Sequence, residues 1–262
     1  MRSRIAGIMS VVAALVLFAE PGELHAQRGR GGGQAAAGRG ARATAPYDLT
    51  GYWVSVISED WKFRMVTPPK GEYGGVPINP EGRKVADGWD SAKDEADGQQ
   101  CKAYGAAGIM RMPGRLHITW ENDNTLRIDA DAGTQTRLLQ FGTPPADGDL
   151  TWQGRSIAQW ETAGGRGTRF AEGDLSGPGG FIKVVTTRMR PGYLRKNGVP
   201  YSSNTTMTEY FESHLGPNGE RYLVISTVIE DPQYLSQPYV TSANFKKLPD
   251  ASGWSPTPCS AK

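Results

Sequence analysis

Histidine and cysteine are scarce: the 262 residues hold three of the first and two of the second. His25 falls in an N-terminal segment that reads as removable, which leaves His117 and His214. A tetrahedral zinc site takes about four N, S or O ligands, so no His/Cys centre can be assembled. No metal and no cofactor are expected. Charge of one sign is lacking too: the formal net charge is +2. No basic face is concentrated enough for phosphate contacts, which excludes a nucleic-acid partner. Neither a Gly-x-Ser-x-Gly elbow nor a catalytic cysteine motif occurs, and Ser156 and Ser202 have no histidine nearby. The glycine-rich runs at 164–165 and 177–180 do not precede a helix, so neither is a phosphate cradle.

Long apolar runs are missing as well, with one exception at the start. Arg2 and Arg4 precede an apolar stretch over 5–19, and Leu24-His25-Ala26 puts a small residue at a cleavage position. That pattern is a secretory signal over residues 1–26. A transmembrane anchor is the competing reading. The stretch is shorter than the ~20 residues that span a bilayer, and Pro21, Gly22 and Glu23 end it. No stable membrane anchor is expected after cleavage, which places the protein in the periplasm or outside the cell. Residues 27–46 are almost wholly Gly, Ala and Arg and have nothing to bury. They read as a flexible tether that cannot offset its ordering entropy. One domain follows, over 47–262.

Cys101 and Cys259 are an isolated pair. In an oxidising compartment such a pair reads as a disulfide; two free thiols is the alternative. Closing so long a loop stabilises a fold by up to about 5 kcal/mol.

What the chain has in quantity is strand signal. Residues 48–57 form a β-rich opening, and 62–67 continue extended to Pro68-Pro69. Asn79 and Pro80 are helix-start chemistry, and Asp90 caps a second turn, so one short helical segment is expected near 79–97. From Arg115 on, alternating segments are separated by turns, the clearest being Gly216-Pro217-Asn218-Gly219. About nine strands with short sequential links predict an all-β domain, an antiparallel meander closing into a barrel. A β-sandwich is the alternative.

Several fragments in order carry a resemblance. They include Leu126-Arg127-Ile128-Asp129-Ala130-Asp131, Trp152-Gln153-Gly154-Arg155-Ser156, Gly198-Val199-Pro200-Tyr201-Ser202, Thr208-Glu209-Tyr210-Phe211 and Glu230-Asp231-Pro232-Gln233-Tyr234. Together they resemble a family of exported, uncharacterised bacterial proteins with a lipocalin-like (calycin-type) β-barrel. The resemblance implies export and a barrel, and no particular reaction. The sequence departs from the family pattern at Tyr201 and Tyr210, where His and Arg are common.

Candidate chemistry is confined to polar residues set in strands. Asp129-x-Asp131-x-Gly133 lacks the remaining ligands of a calcium loop and reads as a charged turn. Alternation puts Arg188 on the face of Ile182, Val184 and Thr186, and Glu209 on that of Met207 and Phe211. The catalytic candidates are Glu209, Tyr210, His117 and Arg188. The ligand-binding candidates are Trp53, Trp120, Trp160, Arg188 and Tyr210, which a lumen would gather. Three functions follow from this reading. The first is a periplasmic barrel binding a small, largely apolar or aromatic molecule. The second is a cofactor-independent lyase, isomerase or cyclase with buried acid/base residues. The third is an envelope interaction protein.

Overall fold

The computed structural model describes residues 40–142, 148–162 and 180–262. The expected secretory signal, most of the expected tether and the glycines at 164–165 and 177–179 lie outside the described residues.

Nine strands form a closed barrel. In chain order the elements are β1 (Gly51–Val56), α1 (Trp61–Arg64), α2 (Pro80–Asp87), α3 (Ser91–Ala96) and α4 (Ala106–Ile109). Then come β2 (Arg115–Asn122), β3 (Thr125–Ala130), β4 (Gln135–Phe141), β5 (Arg155–Thr162) and β6 (Gly180–Thr187). A small hairpin, β7 (Gly192–Arg195) and β8 (Val199–Tyr201), precedes β9 (Thr206–Leu215), β10 (Arg221–Glu230) and β11 (Tyr239–Lys247). The barrel order is β1-β11-β10-β9-β6-β5-β4-β3-β2, and β7 and β8 pair only with each other. β1 pairs with both β2 and β11, which removes the free edges a β-sheet otherwise presents.

The pairing departs from an all-antiparallel meander at one place: β4 and β5 run parallel, with Leu139 opposite Ser156. The segment between them returns to the end where β4 began. There Thr151 bridges Met189, and Gln153 donates to the Tyr104 carbonyl at 2.8 Å. β5 therefore starts from the same rim as β4.

The helical region forms as its caps dictate. Asn79 accepts from Gly82 N at 2.8 Å with Pro80 at the first helical position, and Asp90 accepts from Ala92 N at 2.9 Å. Among the described residues, the four α-helices and the β7–β8 hairpin leave from one end of the barrel, here called the base. Residues 62–67 correct the reading as extended chain: α1 is a helical turn entered through Asp60 at φ 49°. Asp visits this left-handed region more readily than most residues, and Arg111 Nη2 holds its carboxylate at 2.7 Å.

Burial alternates along the strands, as in β3 and β10. The inward set fills the barrel: Trp53, Ile118, Leu139, Ile182, Phe211 and Ile225 are each fully buried. At the far end, the mouth, the rings of Trp120, Phe141, Trp160 and Tyr47 meet in sequence at 5.7, 5.4 and 5.6 Å, tilted, stacked and edge-on in turn. Residues 40–46, expected within the tether, lie across it. Ala41 N donates to Asn124 Oδ1 at 2.9 Å, and Trp160 Nε1 donates to Ala41 O at 2.9 Å. Their backbone groups find strand-loop partners, which the poverty of their side chains concealed.

Cys101 and Cys259 form the disulfide. It fits an oxidising environment. The tail before it runs from the mouth end to the base as a strap. Trp254 meets Tyr52 edge-on, and Thr257 N donates to Asp131 O at 2.9 Å. Among the described residues no helix is long and apolar enough to cross a membrane.

Candidate functional site

The structure separates the residues that sequence reasoning grouped in a lumen. Glu209 does point inward and is fully buried. Its partner is Arg137, whose Nη1 and Nη2 reach the two carboxylate oxygens at 3.0 and 2.6 Å. Ser156 and Thr186 share a hydrogen bond of 2.8 Å beside the pair. Apolar side chains seal this cluster above and below, so no substrate has room beside Glu209.

The remaining candidates lie elsewhere. Tyr210 is on the outer wall against Phe181, at 5.6 Å between rings, because it alternates with Glu209. His117 is also outside, stacked on Tyr52 at 4.1 Å under the strap. Arg188 leaves the β6 alternation with φ 61°, and Nη2 donates to Gly148 O at 2.5 Å at the base rim. That turn of the backbone hands the inward position to Met189, which is fully buried. Trp53 is core, with Nε1 donating to Leu49 O at 2.9 Å. Trp120 and Trp160 meet Phe141 in the aromatic row at the mouth. The grouping in one lumen is thus corrected: of the candidate acid/base residues Glu209 alone faces inward, and it does so into a filled core.

The fragments around Ser202 and Asp231 also meet for structural reasons. The Asp231 carboxylate is buried at the base and accepts from Ser202 N at 2.5 Å, Thr205 Oγ1 at 2.7 Å and Gln233 N at 2.8 Å. It ties the loop after β8 to the loop after β10. Asp129 and Asp131 hold no calcium-like geometry either. Asp129 takes Arg127 Nε at 2.8 Å, while Asp131 Oδ1 accepts from Arg115 N at 2.7 Å.

Open space lies outside the barrel, in the cap at its base. A cleft of about 250 Å³ lies between α1 with the residues after it, the end of α4, β7 and the strap. One wall is apolar, with Phe63, Met65, Val66, Met112 and Leu194. Met65 and Val66 are 58% and 69% exposed, so that wall is also a rim. The polar lining is cationic: Arg64, Arg111, Arg195 and Lys196, with the hydroxyls of Thr67, Tyr104 and Thr257. No carboxylate, histidine or cysteine is among the lining residues.

Ion pairs build this cleft. Glu59 pairs with Arg64, and Arg64 Nε donates to Arg111 O at 2.9 Å. Asp60 pairs with Arg111 and, together with the Arg64–Arg111 bond, rivets α1 to the segment after α4. Burial pulls the Arg64 pKa below the usual guanidinium value, against the charge of Glu59. Gly133, at φ 73°, lets the Tyr104 ring close against the backbone behind the cleft, where any Cβ would collide with it. Nothing in the sequence marks this site. Its residues come from five separate segments of the chain, and none follows a periodic pattern.

Comparison with family models, with curated proteins and with solved structures finds no match to this chain.

Proposed function

We propose that this is an exported protein, acting in the periplasm or outside the cell, that binds a small, largely apolar or aromatic molecule in the cleft at the base of the barrel. The observation that carries the reading is the cleft itself: an apolar wall facing a few converging polar groups, the usual composition of a small-molecule site. At about 250 Å³ it lies just under the about 300–1,000 Å³ common for such sites, which suits a molecule of about one or two rings. The lining supports binding over acid/base chemistry, because no carboxylate or imidazole faces the space. The Glu209 carboxylate, the best buried acid, is sealed in its pair with Arg137. The disulfide and the signal-like residues 1–26 support export. The closed barrel supports the resemblance to exported lipocalin-like proteins, with the ligand outside the lumen.

The test is mass spectrometry of small molecules that co-purify with the protein exported to a bacterial periplasm, repeated with Thr257→Trp. The tryptophan fills the cleft from the strap without touching the barrel core. A molecule retained by the wild type and lost from the variant supports the reading. One retained equally by both places the site elsewhere and sinks it.

A further inference from the structure

We infer that the cleft selects organic anions, an apolar or aromatic body carrying a carboxylate or phosphate head, and that Arg195 and Lys196 supply the charge that recognises the head. This rests on the cleft being the binding site.

Four cations line the cleft, and their partners divide them. Arg64 and Arg111 are neutralised by Glu59 and Asp60. Arg195 and Lys196 have no carboxylate partner among the described residues. Arg195 is only 5% exposed. Its guanidinium stacks on Phe63 at 4.3 Å and donates to Gly74 O at 2.7 Å and to Tyr239 Oη at 3.5 Å. Those are neutral acceptors. A buried cation is costly unless a counter-charge meets it, and here the protein provides none. Lys196 is half-buried with its ammonium 5.6 Å from the centre of the Tyr104 ring. That contact also leaves its charge uncompensated.

Both residues line the cleft, and with no acid in its lining they leave a positive potential there. An anionic head completes the charge balance in that space. The body of the same molecule covers Met65 and Val66, the apolar residues left most exposed there. A neutral apolar ligand would bury this wall and leave the two cations as they are. An organic cation would be repelled.

Isothermal titration of the full mature protein with 2-naphthoate, 2-naphthyl phosphate and 2-naphthamide tests this. The anions are expected to bind at least about tenfold more tightly than the amide, since hydrogen bonds to charged groups are the stronger ones. Their relative affinities decide between carboxylate and phosphate. Lys196→Met should bring the anions down towards the amide, and Lys196→Arg should restore the gap. Added salt should narrow the gap too. Equal binding of acid and amide that Thr257→Trp abolishes overturns the anion preference and leaves the cleft standing. A preference for anions that survives Thr257→Trp, or no binding of any probe, overturns both.

Discussion

Arg137 holds both carboxylate oxygens of Glu209, at 3.0 and 2.6 Å, between β4 and β9 inside the barrel. Both side chains are almost wholly removed from water, at 2% and 1% exposure, and Arg137 Nε has no protein partner. The desolvation penalty of such a pair is met only while both partners are present.

Removing one partner should thus be far worse than removing both. Glu209→Leu or Arg137→Met alone should cost about 3–5 kcal/mol, and the double variant should be neutral or more stable by about 1–4 kcal/mol. Urea denaturation of the four proteins measures this directly. Additive losses in the double variant would mean that the two charges do not act as a pair.

The disulfide bridges a sequence separation of 158 residues. Replacing both cysteines by serine should lower stability by about 5 kcal/mol in the chain-entropy model. The loss should be seen in denaturant midpoints and matched by adding a reductant to the wild type. Hydrogen exchange should rise first at Thr257 and Ala261, whose amides bond to Asp131 O and Glu95. Since Thr257 lines the cleft, ligand affinity should fall in the same variant.

Burial pushes the Asp129 carboxyl up, but the hydrogen bonds from Arg127 and Thr136, with the Arg127 charge, outweigh it and hold the pKa below the usual 3.8. A depressed folded value means that its contribution to stability is complete above about pH 4. The contribution is lost as pH falls from there through the folded pKa. Asp129→Asn should therefore flatten the stability curve in that acid range and leave its slope near neutrality unchanged. Acid titration followed by NMR should show Arg127→Met raising the Asp129 pKa. An unchanged acid limb in Asp129→Asn would remove this carboxylate from the account.

Local chemistry made much of the fold legible. Asn79-Pro80 and Asp90 name their helices because a cap is set by residues two or three apart, and the turn at 216–219 sets the β9–β10 register with Leu215 opposite Arg221. Glu209 could be placed inward because Met207 and Phe211 flank it on one face. Arg137 was missed although Leu139 and Phe141 share its face. Leu138, 37% exposed on the other side, blurred the alternation. Arg188 was misplaced because a positive φ is invisible to a two-residue period. The cleft was illegible for a broader reason. It is an accident of how a cap, a hairpin and a strap are brought together, and each wall residue looks like ordinary loop chemistry in sequence.

The seam that seals the barrel sets Trp53 of the first strand opposite Lys247 of the last. A cylinder completed in this way has a high contact order, so it should form slowly. It also cannot be finished until its last strand, β11, is free to pair with β1. Until then the incomplete sheet offers two unpaired borders, and a chaperone would find them for longer than in a protein whose neighbours pair as they are made.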